Sequence, residues 1–186
     1  MNRTPGQRAG LDAGTVLRAA LELLESGGVD AISMRRLADR LGVLPNAIYS
    51  HIPDRMSVLD GLLDLVLAQV RPPARGDGLA RVELLMRRIW LELKRHPDLA
   101  PHLFSRQQLG PHALRLGHLT ATWLAGAGLP ADRAGQAMRV LMIYVIGAAA
   151  AELPPPASRP GTGRASTATF EAGLRWLLAG IATEIS

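Results

Sequence analysis

Ser33-Met-Arg-Arg-Leu-Ala-Asp-Arg-Leu-Gly-Val43, followed at once by Leu44-Pro-Asn-Ala-Ile-Tyr49, decides how this chain is read. Ser33 is an N-cap residue, whose hydroxyl accepts from a backbone N–H that the first helical turn leaves unpaired. Met34, Leu37, Ala38 and Leu41 then recur at three- and four-residue spacing and form one apolar face. Gly42 stops the helix, because glycine enters the left-handed conformation without steric cost. Pro45 stands at the first position of a second helix, where its missing N–H does no harm. That helix is expected to run to about His51, ahead of Pro53. Leu37, Ala38, Val43 and Ile48 are placed to lock the two helices at a fixed angle, and the small Ala38 permits close approach. The pattern is that of a helix-turn-helix, which holds its second helix outward in the geometry a duplex major groove accepts.

Outward from this stretch the chain reads as helix after helix. Asp12 caps a helix carrying Val16, Leu17, Ala20, Leu21, Leu23 and Leu24, closed by Gly27-Gly28. Asp54 caps a long fourth helix with Val58, Leu59, Leu62, Leu63, Val66, Leu67 and Val70. Residues 71–76, Arg-Pro-Pro-Ala-Arg-Gly, are a linker. Helical periodicity returns over 77–95, 97–104, 111–125, 130–151 and 167–185, with a Pro- and Gly-rich loop at 153–165. The fold class expected is all-α, with about nine helices.

Composition agrees and excludes several classes. Apolar residues are 48% of the chain and aromatics 4%, the bulk being the helix formers Leu and Ala. There is no cysteine, which removes disulfides, thiolate metal sites and a cysteine nucleophile together. The polar first ten residues carry no signal-peptide core, and the apolar run 140–151 is shorter than the ~20 residues a bilayer span needs, so the expected location is cytoplasmic and off the membrane. The net charge of +5 permits an anionic partner, but residues 1–56 hold seven Arg against six Asp and Glu. Any case for DNA must therefore rest on where the charges sit.

Ala38-Asp-Arg-Leu-Gly-Val43, then Ile48-Tyr49, His51-Ile-Pro-Asp-Arg55 and Val58-Leu59, resembles the N-terminal signature of the tetracycline-repressor (TetR) family, and Tyr49-Ser50-His51 with Leu59-Asp60 is most similar to the tetracycline-repressor branch. The resemblance covers about residues 12–63 and implies a homodimeric regulator that binds double-stranded operator DNA. It assigns residues 1–56 to a three-helix DNA-binding domain and 57–186 to a ligand-binding and dimerisation domain. It implies base or phosphate contacts from Arg35 and Arg36, places Leu44, Pro45, Asn46 and Ala47 at the start of the recognition helix, and gives phosphate to the Tyr49 hydroxyl. Ser50 and His51 match contacts at the end of that helix, and Arg55 replaces a phosphate-anchoring lysine. Two positions depart from the family pattern. Leu44 stands where a polar cap is usual, and Ala47 where a hydroxyl or amide reads a base, leaving Asn46 as the best adenine-edge reader. Arg40 reads as solvated surface, and Arg3 and Arg8 as a terminal tail.

The same resemblance implies an effector pocket between the C-terminal helices and pairing of the last two long helices across a two-fold axis. Independently, 140–151 is apolar around most of its circumference, more than one small protomer can hide. Pocket candidates are Met86, Trp90, His102, Phe104, Trp123, Met138, Met142 and Tyr144, which suit a small hydrophobic or aromatic effector. His102 falls where the tetracycline-repressor branch has a magnesium-binding histidine. The partner carboxylate position falls on Ala151, however, with Glu152 one residue and ~100° of helix away, so no metal or cofactor is expected. His96, His112 and His118 read as surface residues. No phosphate-binding glycine loop, HExxH pair or GxSxG elbow supports an enzyme. The other reading is a helical interaction protein that keeps the fold without DNA binding.

Overall fold

The computed structural model describes residues 11–103, 109–151 and 167–185, and among them there are eight α-helices, two 3-10 turns and no strand. The chain divides into two compact units, Met1–Leu62 and Leu63–Ser186, with the division inside the fourth helix.

In the first unit α1, α2 and α4 begin where their caps predict. Helix α1 (Ala13–Gly27) starts with the Asp12 carboxylate accepting from Thr15 N at 2.7 Å, and Gly28 closes it at φ 67°. A 3-10 turn, Val29–Ala31, leads to α2 (Met34–Leu41), where Ser33 Oγ accepts from Arg36 N at 3.2 Å. Gly42 is left-handed at φ 63°, ψ 36°, and α3 (Pro45–Tyr49) follows. This helix is shorter than expected, with Ser50 and His51 continuing only as a turn. Asp54 accepts from Ser57 N at 2.7 Å to start α4 (Arg55–Ala68). Val16, Ala20, Leu37, Ala38, Ile48, Val58, Leu59 and Leu62 form the core and are almost wholly excluded from solvent. Gly61 lies directly against Leu17, so a β-carbon there would have to displace the Leu17 side chain.

The second unit contains α5 (Gly78–Arg95), α6 (Pro111–Gly126), α7 (Ala131–Ala150) and α8 (Thr167–Ala182). Helices α5, α6 and α7 pack pairwise on one another, and α8 lies on α5 and α7. Leu85, Met86, Leu93, Leu124, Leu141, Val145 and Phe170 are fully buried here. The helix expected over 97–104 is instead a 3-10 turn, Ala100–Leu103, against α7. Pro101 explains the difference: without an N–H it cannot continue an α-helical ladder, and its ring clashes with the preceding turn. Among the described residues there are thus eight α-helices, against an expectation of about nine.

Candidate nucleic-acid interface and sensor core

The face that α3 turns away from the core carries the residues expected to meet DNA. Ile48 is completely buried and fixes the helix, while Leu44 is 77% exposed and Tyr49 49% exposed. Arg35, Arg36, Pro45, Asn46, Ser50 and His51 are exposed as well, and Ala47 is half-buried. Leu44 gives α3 no side-chain cap, so the N–H groups of its first turn are not satisfied by that residue. Ser50 Oγ donates to Asn46 O at 3.3 Å. Arg40, read as solvated surface, is ion-paired with Glu22 of α1 through Nε at 2.7 Å.

Arg55 is half-buried and turned inward. Its Nε donates to Ile32 O at 2.8 Å and one terminal nitrogen donates to Val29 O at 2.9 Å. A planar guanidinium reaches two carbonyls at once where an ammonium could not. The side chain thus ties the start of α4 to the turn ahead of α2. Sequence reasoning assigned it to phosphate and missed this bond, whose acceptors lie 23 and 26 residues away.

In the second unit, Met86 and Trp90 are almost completely buried and Trp123 is 7% exposed. His102, Met138, Met142 and Tyr144 are half-buried, and Phe104 lies outside the described residues. Trp90 stacks on Phe170 of α8 with ring centroids 4.2 Å apart, and Phe170 stacks on Tyr144 at 5.7 Å. The Tyr144 hydroxyl donates to Phe170 O at 2.9 Å and sits so close over Gly173 that a β-carbon there would displace the Tyr144 ring. Burial first, and then the Glu171 carboxylate, push that hydroxyl above its ordinary value of 10.0, so it stays a proton donor. The Arg81 guanidinium lies 4.0 Å from the Trp123 ring centroid, and the Lys94 ammonium 4.6 Å from that of Trp90. Among the described residues no three His, Cys, Asp or Glu side chains gather to hold a metal ion, and Glu152 lies outside them.

Residues 16–59 match the family described as bacterial regulatory proteins, tetR family, and residues 72–164 match the tetracyclin repressor-like C-terminal domain. This chain belongs to the TetR family. A helix-turn-helix transcriptional regulator of Saccharopolyspora erythraea is 34% identical over 142 residues, covering 74% of this chain and 59% of the relative. The chain thus spans less than two thirds of that relative's length. The class A tetracycline repressor protein from transposon 1721 of Escherichia coli is 46% identical over 59 residues, 32% of this chain and 27% of that protein. A crystal structure of a TetR variant from Acinetobacter baumannii AYE in complex with minocycline superposes with TM-score 0.81 at 29% identity, covering 95% of this chain and 99% of that one. These relatives are regulators and not enzymes, in agreement with the absence of catalytic motifs from the sequence.

Within this TetR-family chain one contact was invisible in the sequence. His112, read as a surface residue, is half-buried against Asp64 of α4, with Nδ1 2.8 Å from the carboxylate. Asp64 also accepts from His112 N at 2.9 Å and Ala113 N at 3.2 Å. It therefore caps α6 from another helix, where Gly110 at the N-cap has no side chain to do so. Gly110 is pressed so closely on Asp64 that a β-carbon there would collide with the carboxylate.

Proposed function

We propose that the chain is a one-component transcriptional repressor that binds operator DNA as a homodimer and is released by a small hydrophobic or aromatic effector. The observation that carries this reading is the exposed set Arg35, Arg36, Pro45, Asn46, Tyr49, Ser50 and His51 around a helix pinned by a wholly buried Ile48. In it, Asn46 reads an adenine edge, and Tyr49, Arg35 and Arg36 hold phosphates. Arg55 acts from behind by fixing the start of α4, in addition to any phosphate it meets.

Dimerisation follows from what α7 and α8 leave uncovered. Val140 is 48% exposed, Ile143 60% and Trp176 74%. A second copy covering these side chains sets two recognition helices one DNA turn apart. An effector bound in the second unit then acts through α4, the helix in which the two units meet along the chain. It moves the balance only by its differential affinity for the two states, typically ~1–3 kcal/mol.

Fluorescence anisotropy with the DNA flanking the chain's own gene tests the reading. Binding should weaken at least ~10-fold between 50 and 200 mM salt as phosphate-bound counterions are released. Tyr49→Phe should weaken binding to every sequence alike, by ~0.5–1.5 kcal/mol. Asn46→Ala should alter base preference at one position by ~1–3 kcal/mol. The rival reading, an interaction protein with this fold, is favoured by one feature, the apolar Leu44 at the tip of α3 with 77% exposure. Salt-independent or absent DNA binding would establish it.

A further inference from the structure

Leu44 is an apolar side chain that neither its helix nor the core employs. It stands at the N-cap of α3, 77% exposed, and gives that helix no side-chain hydrogen bond. The other α-helices of the first unit open differently: Asp12, Ser33 and Asp54 each accept from a backbone N–H of the turn they start. Leucine is among the poorest N-cap residues, so a serine or aspartate in its place would stabilise α3. The neighbouring positions continue the pattern. Pro45 is exposed and Ala47 half-buried, and neither side chain can form a hydrogen bond. Ile48, one turn on, is completely buried and holds the tip in place. A local rule broken at the tip of an otherwise well-capped unit marks a site shaped for a partner. In the major groove, base-pair edges present hydrogen-bond donors and acceptors, and the 5-methyl of thymine is the one apolar substituent among them. A leucine gains nothing from N7, O6 or an exocyclic amine, and covering them would strip off water without replacing its hydrogen bonds.

We propose that Leu44 reads thymine: its side chain packs on the 5-methyl group of one thymine in each operator half-site and disfavours cytosine there. This rests on the reading of the chain as an operator-binding protein and adds a base to it. Cytosine at that position would offer no methyl and would bring its N4 amine against a side chain that cannot accept from it. Where an amide or hydroxyl would select a base by hydrogen bonding, this chain selects by apolar contact. With Asn46 on an adenine edge, both readers at the start of α3 then favour A·T pairs.

The test removes the methyl group and nothing else. A duplex that the full-length protein binds is selected from a random library, and each thymine in turn is replaced by deoxyuridine, which keeps the base pair and its hydrogen bonds. With the parent protein, uracil at one position should weaken binding ~4-fold per half-site, the contribution of one buried methyl. Leu44→Ala should bind the thymine duplex more weakly and should no longer distinguish thymine from uracil at that position. Leu44→Ser, which restores a polar cap, should lose the same discrimination while unfolding at an equal or higher denaturant concentration, which separates reading from folding. A parent whose affinity ignores every uracil overturns the proposal and leaves operator binding standing. Uracil sensitivity that persists unchanged in Leu44→Ala overturns it as well, and gives the methyl to Pro45 or Ala47. A protein that enriches no duplex sinks the repressor reading together with this one, and Leu44 then belongs to a protein-facing surface.

Discussion

Among the described residues the first unit leaves no buried side-chain polar atom without a partner, and the second does. Asp12, Ser33 and Asp54 each cap the helix that follows them, and Arg55 satisfies two carbonyls of the 29–32 segment. Among the described residues of this unit the large apolar side chains left exposed are Leu44, Tyr49 and Met56, two of them on or beside the short α3. The second unit keeps Val140, Ile143 and Trp176 in solvent on α7 and α8, and it buries Trp90 Nε1 and Arg81 Nε with no partner among the described residues. One half closes around its core and leaves the short α3 exposed. The other has open apolar faces on α7 and α8 and buried donors that meet no acceptor among the described residues.

The largest test of that contrast attacks the open faces. Ile143→Asp with Trp176→Asp should turn a dimer into a monomer by sedimentation. Because linked half-sites gain ~10²–10⁴ in avidity, affinity for a two-half-site operator should fall at least ~100-fold while each unit stays folded. A dimer that survives both charges would mean that the interface lies elsewhere. Next comes Arg55→Ala, which strips two half-buried carbonyls of a charged donor and should destabilise the first unit by ~2–3 kcal/mol in urea unfolding. Arg55→Lys should recover only part of this, since an ammonium has no fork. Unchanged stability with weaker operator binding would return Arg55 to a purely phosphate-anchoring role. Smaller again is Asp64→Ala, expected to cost ~1–3 kcal/mol by uncapping α6. Asp64→Asn should cost less, because the amide oxygen still accepts from the backbone. If Asp64→Ala unfolds at the parent's midpoint, the cap contributes nothing.

The same contrast explains what the sequence disclosed. Caps act over three residues, so Asp12, Ser33 and Asp54 announce α1, α2 and α4, and Gly42 with Pro45 announces the turn and the start of α3. The face of α3 follows from Ile48 being its one residue fit for burial. Pro101 is a local signal too, and the chain there forms the 3-10 turn Ala100–Leu103 where a helix over 97–104 is expected. Contacts set by tertiary packing left no trace. His112 meets Asp64 across 48 residues, and Trp90 meets Phe170 across the whole span from α5 to α8. Periodicity marked Trp90 and Phe170 as apolar-face residues, yet it carries no information on which rings from different helices lie parallel. The pocket residues could thus be named as large side chains on the middle helices but not sorted into core and lining.

The smallest effect sharpens the picture of the first unit as self-contained. The N–H and hydroxyl of Thr15 hold the Asp12 carboxyl below its ordinary value of 3.8, and the charges of Arg18 and His51 add to this. Ser57 does the same for Asp54. A carboxyl whose folded value is depressed binds its proton less readily folded than unfolded. Its stabilisation is therefore fully present above 3.8 and is lost as the pH falls from there through the folded value. An asparagine cap has the same reach and no charge to lose. The stability gap between the parent and Asp12→Asn should be constant through neutral and mildly acidic solution and close below pH 3.8. Both side chains are open to solvent, so added salt should narrow the gap as well. A gap that ignores both pH and salt would show that the cap works through hydrogen-bond geometry alone.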